Sequence, residues 1–185
     1  MIGRALGVAL AMLMAGSAQP VGASGAGDDA AASGRAIWTE IQWPFLMDEW
    51  GLGRAFVCKA DDCGSEVALY LRVKAGFCNC TTGVTDDDDL DRVGDLSLLS
   101  NKFVGIGAGR AVAVDDMQGR SRPFQVSLPL WRSQTAVAVV LHAKCDAVVA
   151  TVIADRDRLG GAEQYALAFL GGGPVLQWTK VALGW

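Results

Sequence analysis

The sequence predicts an α+β domain: an antiparallel sheet of about six or seven strands, with helices on one face and two helices at the C-terminus. Several short segments alternate apolar with polar residues and are bounded by turn residues, a pattern typical of antiparallel strands. Helical spacing of apolar residues occurs in few places, and two of them lie together at the end of the chain. Strands flanked by helices in this way indicate the α+β class.

Residues 1–23 have the pattern of a secretory signal peptide. Arg4 supplies the positive charge, and residues 5–16 form an apolar core that is too short to span a bilayer as an anchor. Small residues follow, so cleavage is expected between Ala18 and Ala23. The sequence therefore predicts export to the periplasm, or secretion, with no transmembrane anchor after cleavage.

The remainder of the chain has the length of one domain. Residues 24–35 are small and polar and are predicted to be a disordered leader, whereas residues 36–185 are predicted to fold as a single α+β domain. The formal net charge is −4 and no basic run occurs, which argues against nucleic acid and anionic membranes as partners. We expect an envelope protein or another envelope component as partner, and no cofactor.

The first half of the domain is predicted to contain a helix, two strands and a second helix. Pro44 suits the first turn of a helix over residues 45–50. Strands are expected over residues 54–59 and 66–74, because apolar side chains alternate there. Thr85 is expected to cap a helix over residues 86–100, whose aspartates favour the positive end of the helix dipole.

The second half is predicted to begin with two hairpins and to end with two helices. The expected strands cover residues 103–106, 111–115, 123–128, 135–142 and 147–154. Residues 117–120 are expected to form the first hairpin turn and residues 144–146 the second. The glycines at 171–173 separate the two predicted helices, which span residues 162–170 and 174–183.

Five cysteines follow the signal, at positions 58, 63, 78, 80 and 145. Exported cysteines meet an oxidising environment, so Cys58, Cys63, Cys78, Cys80 and Cys145 are all disulfide candidates. Cys58 and Cys63 flank a turn that can bring them together. Cys78 and Cys80 point to the same side of an extended segment, and one of them can pair with Cys145. The odd number leaves one sulfur without a partner in the chain.

Two chemical alternatives use these cysteines. In the first, Cys78 and Cys80 chelate a soft ion such as copper or zinc, and the protein is a metal carrier. In the second, Cys145 is the nucleophile of a thiol enzyme and His142, three residues earlier, is its base. No familiar hydrolase motif accompanies either residue, so the sequence favours a protein without catalytic residues.

Three other patterns resemble binding sites. The aspartates at 86–91 resemble a calcium loop, but Arg92 and Leu98 stand where that loop needs Gly and Glu. The glycines at 105–109 lack the spacing of a nucleotide loop. Trp38, Trp43 and Trp50 are candidate binding residues, since exposed aromatic rings stack on sugars or peptides. The sequence thus predicts an exported, soluble, disulfide-stabilised binding or accessory module.

Overall fold

The computed structural model of the protein describes residues 36–77, 79–127 and 133–184. The predicted signal peptide (1–23) and leader (24–35) lie outside the described residues, and so does Cys78. The single-domain prediction for residues 36–185 stays a prediction.

An antiparallel sheet of eight strands forms the body of the domain. Along the sheet the strands follow the order β1-β2-β3-β8-β7-β6-β4, and β5 also pairs with β6. Their bounds are Trp38–Ile41 (β1), Arg54–Cys58 (β2), Val67–Lys74 (β3), Phe103–Gly105 (β4), Arg110–Val114 (β5), Met117–Ser127 (β6), Ser133–Ala143 (β7) and Asp146–Ala154 (β8). The long strands β6, β7 and β8 pair in sequence order at the centre of the sheet. A two-residue turn at Asp115–Asp116 joins β5 to β6, and another at Lys144–Cys145 joins β7 to β8.

Four helices and two short 3-10 turns accompany the sheet. The helices are Ala60–Cys63 (α1), Asp87–Val93 (α2), Leu159–Leu170 (α3) and Gly173–Ala182 (α4), and the 3-10 turns are Leu96–Leu98 and Arg156–Arg158. Within the part of the chain that the structure describes, none of the helices has the length and apolar character needed to cross a membrane.

The two faces of the sheet are covered differently. Helices α3 and α4 pack on one face over alternate residues of β3, β7 and β8, with Ala166, Leu170 and Val175 inside the core. Helix α2 and the first 3-10 turn pack on the other face through Leu90, Val93 and Leu96. The central strands are buried on both sides, which explains their long runs of Val and Ala.

The predicted α+β class is confirmed, with its antiparallel sheet and two C-terminal helices. The sheet has eight strands because β1, at its edge, was not predicted. Helices cover both faces, since α2 packs opposite α3 and α4.

Several element bounds differ from the expectations. The helix predicted over residues 45–50 is wrong: this segment is irregular, because Phe45 turns inward onto Tyr70 while the Asp48 carboxylate accepts the backbone N–H of Trp50. The turn predicted at residues 117–120 is also wrong. Gly119 lies in mid-strand, where the backbone of Val140 passes too close for any side-chain Cβ.

The helix predicted over residues 86–100 is shorter than expected. Helix α2 ends at Val93 because Gly94 leaves the helical conformation, and a 3-10 turn follows. The cap is Asp86 rather than Thr85: its carboxylate accepts the backbone N–H of Asp89 at 2.8 Å.

Candidate functional site

A buried group of charges joins the C-terminal end of α2 to strand β3. Arg72 donates two hydrogen bonds of 2.7 Å to the Asp95 carboxylate and contacts both oxygens of Asp48 at 2.7 and 2.8 Å. Lys74 Nζ lies 2.7 Å from Asp95 and donates to the carbonyl oxygen of Val93 at 2.8 Å. We call Arg72, Lys74, Asp95 and Asp48 the buried clamp; its two cations and two carboxylates are formally neutral together.

The buried clamp holds the segment of residues 42–53 against the sheet. Arg72 lowers the pKa of the Asp48 carboxyl by hydrogen bonding to it, so Asp48 stays charged and attached. Lys74 lies over the rings of Trp50 and Phe77, at 5.5 and 4.8 Å from their centroids. The segment is therefore fixed in place although it has no regular secondary structure.

Large apolar side chains project outward from this region. Ile37, Ile41, Leu46, Met47 and Leu52 are between 40% and 91% exposed, with Leu46 the most exposed of all. They make up five of the seven exposed large hydrophobic residues in the described chain. We call these five residues the N-terminal apolar surface.

The three candidate tryptophans contact different aromatic neighbours. Trp38 stacks on Phe169 of helix α3, with ring centroids 5.0 Å apart. Trp43 contacts Phe45 at 5.2 Å, and Trp50 contacts Phe77 at 4.6 Å. Trp43 and Trp50 belong to the segment beneath the N-terminal apolar surface, whereas Trp38 belongs to the core that α3 covers. All three are partly buried, so a role in binding stays a prediction.

Four cysteines form two disulfide bonds. One joins Cys58 to Cys63 across the single turn of α1. The other joins Cys80 to Cys145 and links the loop that follows β3 to the turn between β7 and β8. Since the chain has five cysteines, Cys78 is left with no cysteine partner in its own chain.

These bonds bear on both chemical alternatives. The sulfur of Cys80 is bonded to Cys145, so chelation of copper or zinc by the Cys78 and Cys80 pair requires that this bond is first reduced. The same holds for the thiol-enzyme hypothesis, because Cys145 is not a thiol here. No group of three metal-binding side chains occurs among the described residues.

The Cys80–Cys145 bond positions a loop over His142. The loop closes on itself where the N–H of Gly83 donates to the carbonyl oxygen of Asn79 at 2.7 Å. Gly83 has a φ of +68°, and a side chain here would overlap the imidazole of His142. Glycine is therefore required at position 83 for two reasons: the turn needs a positive φ, and any side chain would collide with the imidazole of His142.

A groove of about 460 Å³ opens beside His142. Its walls come from the loop at 82–85, strand β5 and the facing ends of β6 and β7. The polar lining residues are Thr82, Thr85, Gln118, Arg120 and His142, and the apolar ones include Val84, Ala111, Val112 and Ala113. Burial lowers the pKa of His142, so the imidazole is neutral at neutral pH.

A second group of charges borders the groove and joins the N-terminal end of α2 to β6. Arg120 contacts Asp87 at 2.7 Å, and Arg122 contacts Asp91 at 2.9 Å. The N–H of Gly109 and the Arg120 guanidinium both bond to Asp87 and lower the pKa of its carboxyl. We call Arg120, Arg122, Asp87 and Asp91 the exposed clamp.

The sequence carries weak signals for these residues. Arg72 and Lys74 look like the solvent-facing positions of a half-buried strand, and Arg120 was assigned to a turn. A usable signal was the pairing of acidic residues at both ends of one helix with basic residues on two strands. The aspartates considered for calcium bind arginines instead.

Comparison with known proteins adds no family to this description. No protein family matches the chain, and no curated protein matches it.

Proposed function

We propose that the protein is exported to the periplasm as a soluble, non-enzymatic binding module, and that the N-terminal apolar surface contacts a partner protein of the cell envelope. The concentration of five exposed large hydrophobic residues within residues 37–52 carries this proposal. Exposed large apolar side chains that concentrate in one segment, rather than being scattered singly, are typical of interaction sites.

The neighbouring strand suggests how the partner binds. Strand β1 lies at the end of the sheet order, and no other strand among the described residues pairs with its outer side. Ile37 and Ile41 project from the ends of this strand. An extended segment of the partner can add to such an edge through its backbone while its apolar side chains meet the surface.

The charge of this region selects among partners. Residues 37–52 contain Glu40, Asp48 and Glu49 and no lysine or arginine. Arg54 pairs with Glu40 and Arg72 pairs with Asp48, so Glu49 supplies the remaining negative charge. The segment itself offers no lysine or arginine to anionic lipid headgroups, and Glu49 favours a partner segment that carries basic residues. We therefore infer a partner protein with an extended, apolar and basic segment rather than a membrane surface.

The test is site-specific photo-crosslinking in cells that export the protein. A photoreactive residue is introduced at Leu46, or at Val181 of helix α4 as the exposed control, which is 65% exposed. We expect one discrete protein adduct from position 46 in the periplasmic fraction, none from position 181, and loss of the adduct when Leu52→Lys is added. Adducts to lipid, or equal adducts from both positions, would overturn the proposal.

A further inference from the structure

We propose that the groove beside His142 is a binding site for a small carboxylate with an apolar substituent, and that His142 is the ionic partner of the carboxylate. This site is separate from the N-terminal apolar surface, because it is built from the loop at 82–85, β5 and the facing ends of β6 and β7.

The imidazole of His142 is available to a ligand. Among the described residues, no group forms a hydrogen bond with it, although the side chain is partly buried. The loop below it offers only Gly83 at the point of contact, where a side chain has no room. A neutral imidazole has one donor and one acceptor nitrogen, and a partly buried pair without protein partners gains from a ligand that bonds to it.

The other lining groups suit a carboxylate. Four of the five N–H groups of Arg120 donate hydrogen bonds within the protein. Their acceptors are the Asp87 carboxylate and the carbonyl oxygens of Thr85 and Gly109. One Nη1–H of Arg120 and the Gln118 amide remain as donors at the groove, and no acidic side chain lines it. A lining that contains a cationic donor and no acidic side chain favours an anionic acceptor, which an ionised carboxylate is.

The apolar lining and the size of the groove restrict the rest of the ligand. Ala111 and Ala113 on β5 provide small side chains that leave space for a flat or branched apolar group. The volume of about 460 Å³ lies within the range of small-molecule sites. A monocarboxylate with an aromatic or short aliphatic substituent fits both conditions.

The charges around His142 determine how binding depends on pH. Its neighbours across the sheet are Gln118 on β6 and Ala147 on β8, and the loop at 79–83 carries no charged side chain. Arg120 is the one charged residue that lines the groove with it, and Asp87 compensates that charge. A carboxylate therefore adds an unmatched negative charge, which His142 matches by taking up a proton, so binding strengthens as the pH falls.

The experiment uses the imidazole signal of His142, which is unambiguous because the chain contains a single histidine. The exported protein is purified without a histidine tag and titrated by NMR with benzoate, and with benzamide as the uncharged analogue of the same shape. We expect benzoate to raise the apparent pKa of His142. At pH values above that pKa, the affinity of the protein for benzoate is expected to increase by up to about tenfold for each unit by which the pH is lowered. Benzamide is expected to leave the pKa unchanged.

A pair of matched variants locates the site. Gln118→Ala removes an exposed amide at the groove and is expected to weaken benzoate binding about two- to tenfold, the loss of one hydrogen bond. Gln42→Ala changes an exposed glutamine outside the groove and is expected to leave binding unchanged. Equal effects of benzoate and benzamide overturn the carboxylate class; an unmoved His142 signal, or equal effects of the two variants, overturns the site.

Discussion

Helix α2 is attached to the sheet at both ends by two cations and two carboxylates, but the two attachments differ in burial. In the buried clamp the side chains of Arg72, Lys74 and Asp95 are 4–5% exposed. In the exposed clamp the side chains of Arg120 and Arg122 are 20% exposed, and that of Asp91 is 37% exposed. The formal charges are the same, two positive and two negative, although the buried clamp has Lys74 where the exposed clamp has a second arginine.

This difference in burial determines what each clamp contributes. Water screens the exposed clamp, so each of its ion pairs stabilises the fold by about 0–1 kcal/mol. In the buried clamp Arg72, Lys74 and Asp95 have lost their water and depend on one another for charge compensation, whereas the Asp48 side chain is 33% exposed. The buried clamp thus fixes the segment of residues 42–53, while the exposed clamp contributes Arg120 to the lining of the His142 groove.

The largest effect is expected from Asp95→Asn in the buried clamp. The substitution keeps the shape of the side chain but leaves Arg72 and Lys74 with one carboxylate between them, inside the protein. The free energy of unfolding, measured by urea denaturation, is expected to fall by about 3–5 kcal/mol. A loss below about 1 kcal/mol, which is the range of solvent-exposed ion pairs, would show that the two clamps do not differ in their contribution to stability.

Removal of the Cys80–Cys145 bond is expected to have the next largest effect on stability. This bond holds the loop over His142, beside the groove that Arg120 of the exposed clamp lines. Cys80→Ser with Cys145→Ser, in a Cys78→Ser background that prevents a substitute bond, is expected to lower the free energy of unfolding by about 2–4 kcal/mol. The bond closes a separation of 65 residues, against 5 for Cys58–Cys63, so removal of the shorter bond should cost about half as much. Equal losses in thermal or urea unfolding would contradict the loop-closure argument.

In the exposed clamp, Asp91→Asn is the matched counterpart of Asp95→Asn. It removes the charge that faces Arg122 at a partly exposed site, so the expected loss is between about 0.2 and 1 kcal/mol. The loss should shrink further in about 1 M salt, where the Debye length is about 3 Å. A large loss that persists in high salt would show that the pair acts as a buried one.

The strands that the sequence predicted well are those whose burial follows from their own residues. Val and Ala at successive positions make β7 and β8 recognisable whatever packs on them. The alternation in β3 was equally clear, but it cannot tell whether the polar side faces water or another element. Helix α2 covers that side, and this tertiary contact converts Arg72 and Lys74 into buried residues.

The candidate site was predictable only in part, for a similar reason. Cys78 and Cys80 are equivalent by alternation, and the structure joins Cys80 to Cys145. The groove depends on Gly83 meeting His142 from a loop that is distant in sequence, and no local pattern encodes that meeting. The exposure of Leu46 and Met47 did not follow from the helix predicted at 45–50, and that of Ile37 and Ile41 depends on strand β1, which the sequence did not predict.

The smallest effect expected is a pH dependence that originates at the His142 groove. Burial lowers the pKa of His142, so the native state favours the neutral imidazole. In the unfolded chain the histidine has its ordinary pKa of about 6.5, so the unfolded chain binds more protons near that pH. Its contribution to stability is complete above about pH 6.5 and is lost as the pH falls through the lowered pKa. His142→Phe should therefore flatten the stability profile between about pH 7 and 5 in urea denaturation. Asp91→Asn should leave that slope in place, because the substitution does not alter the surroundings of His142, and an unchanged slope in His142→Phe would instead assign it to the carboxyl groups.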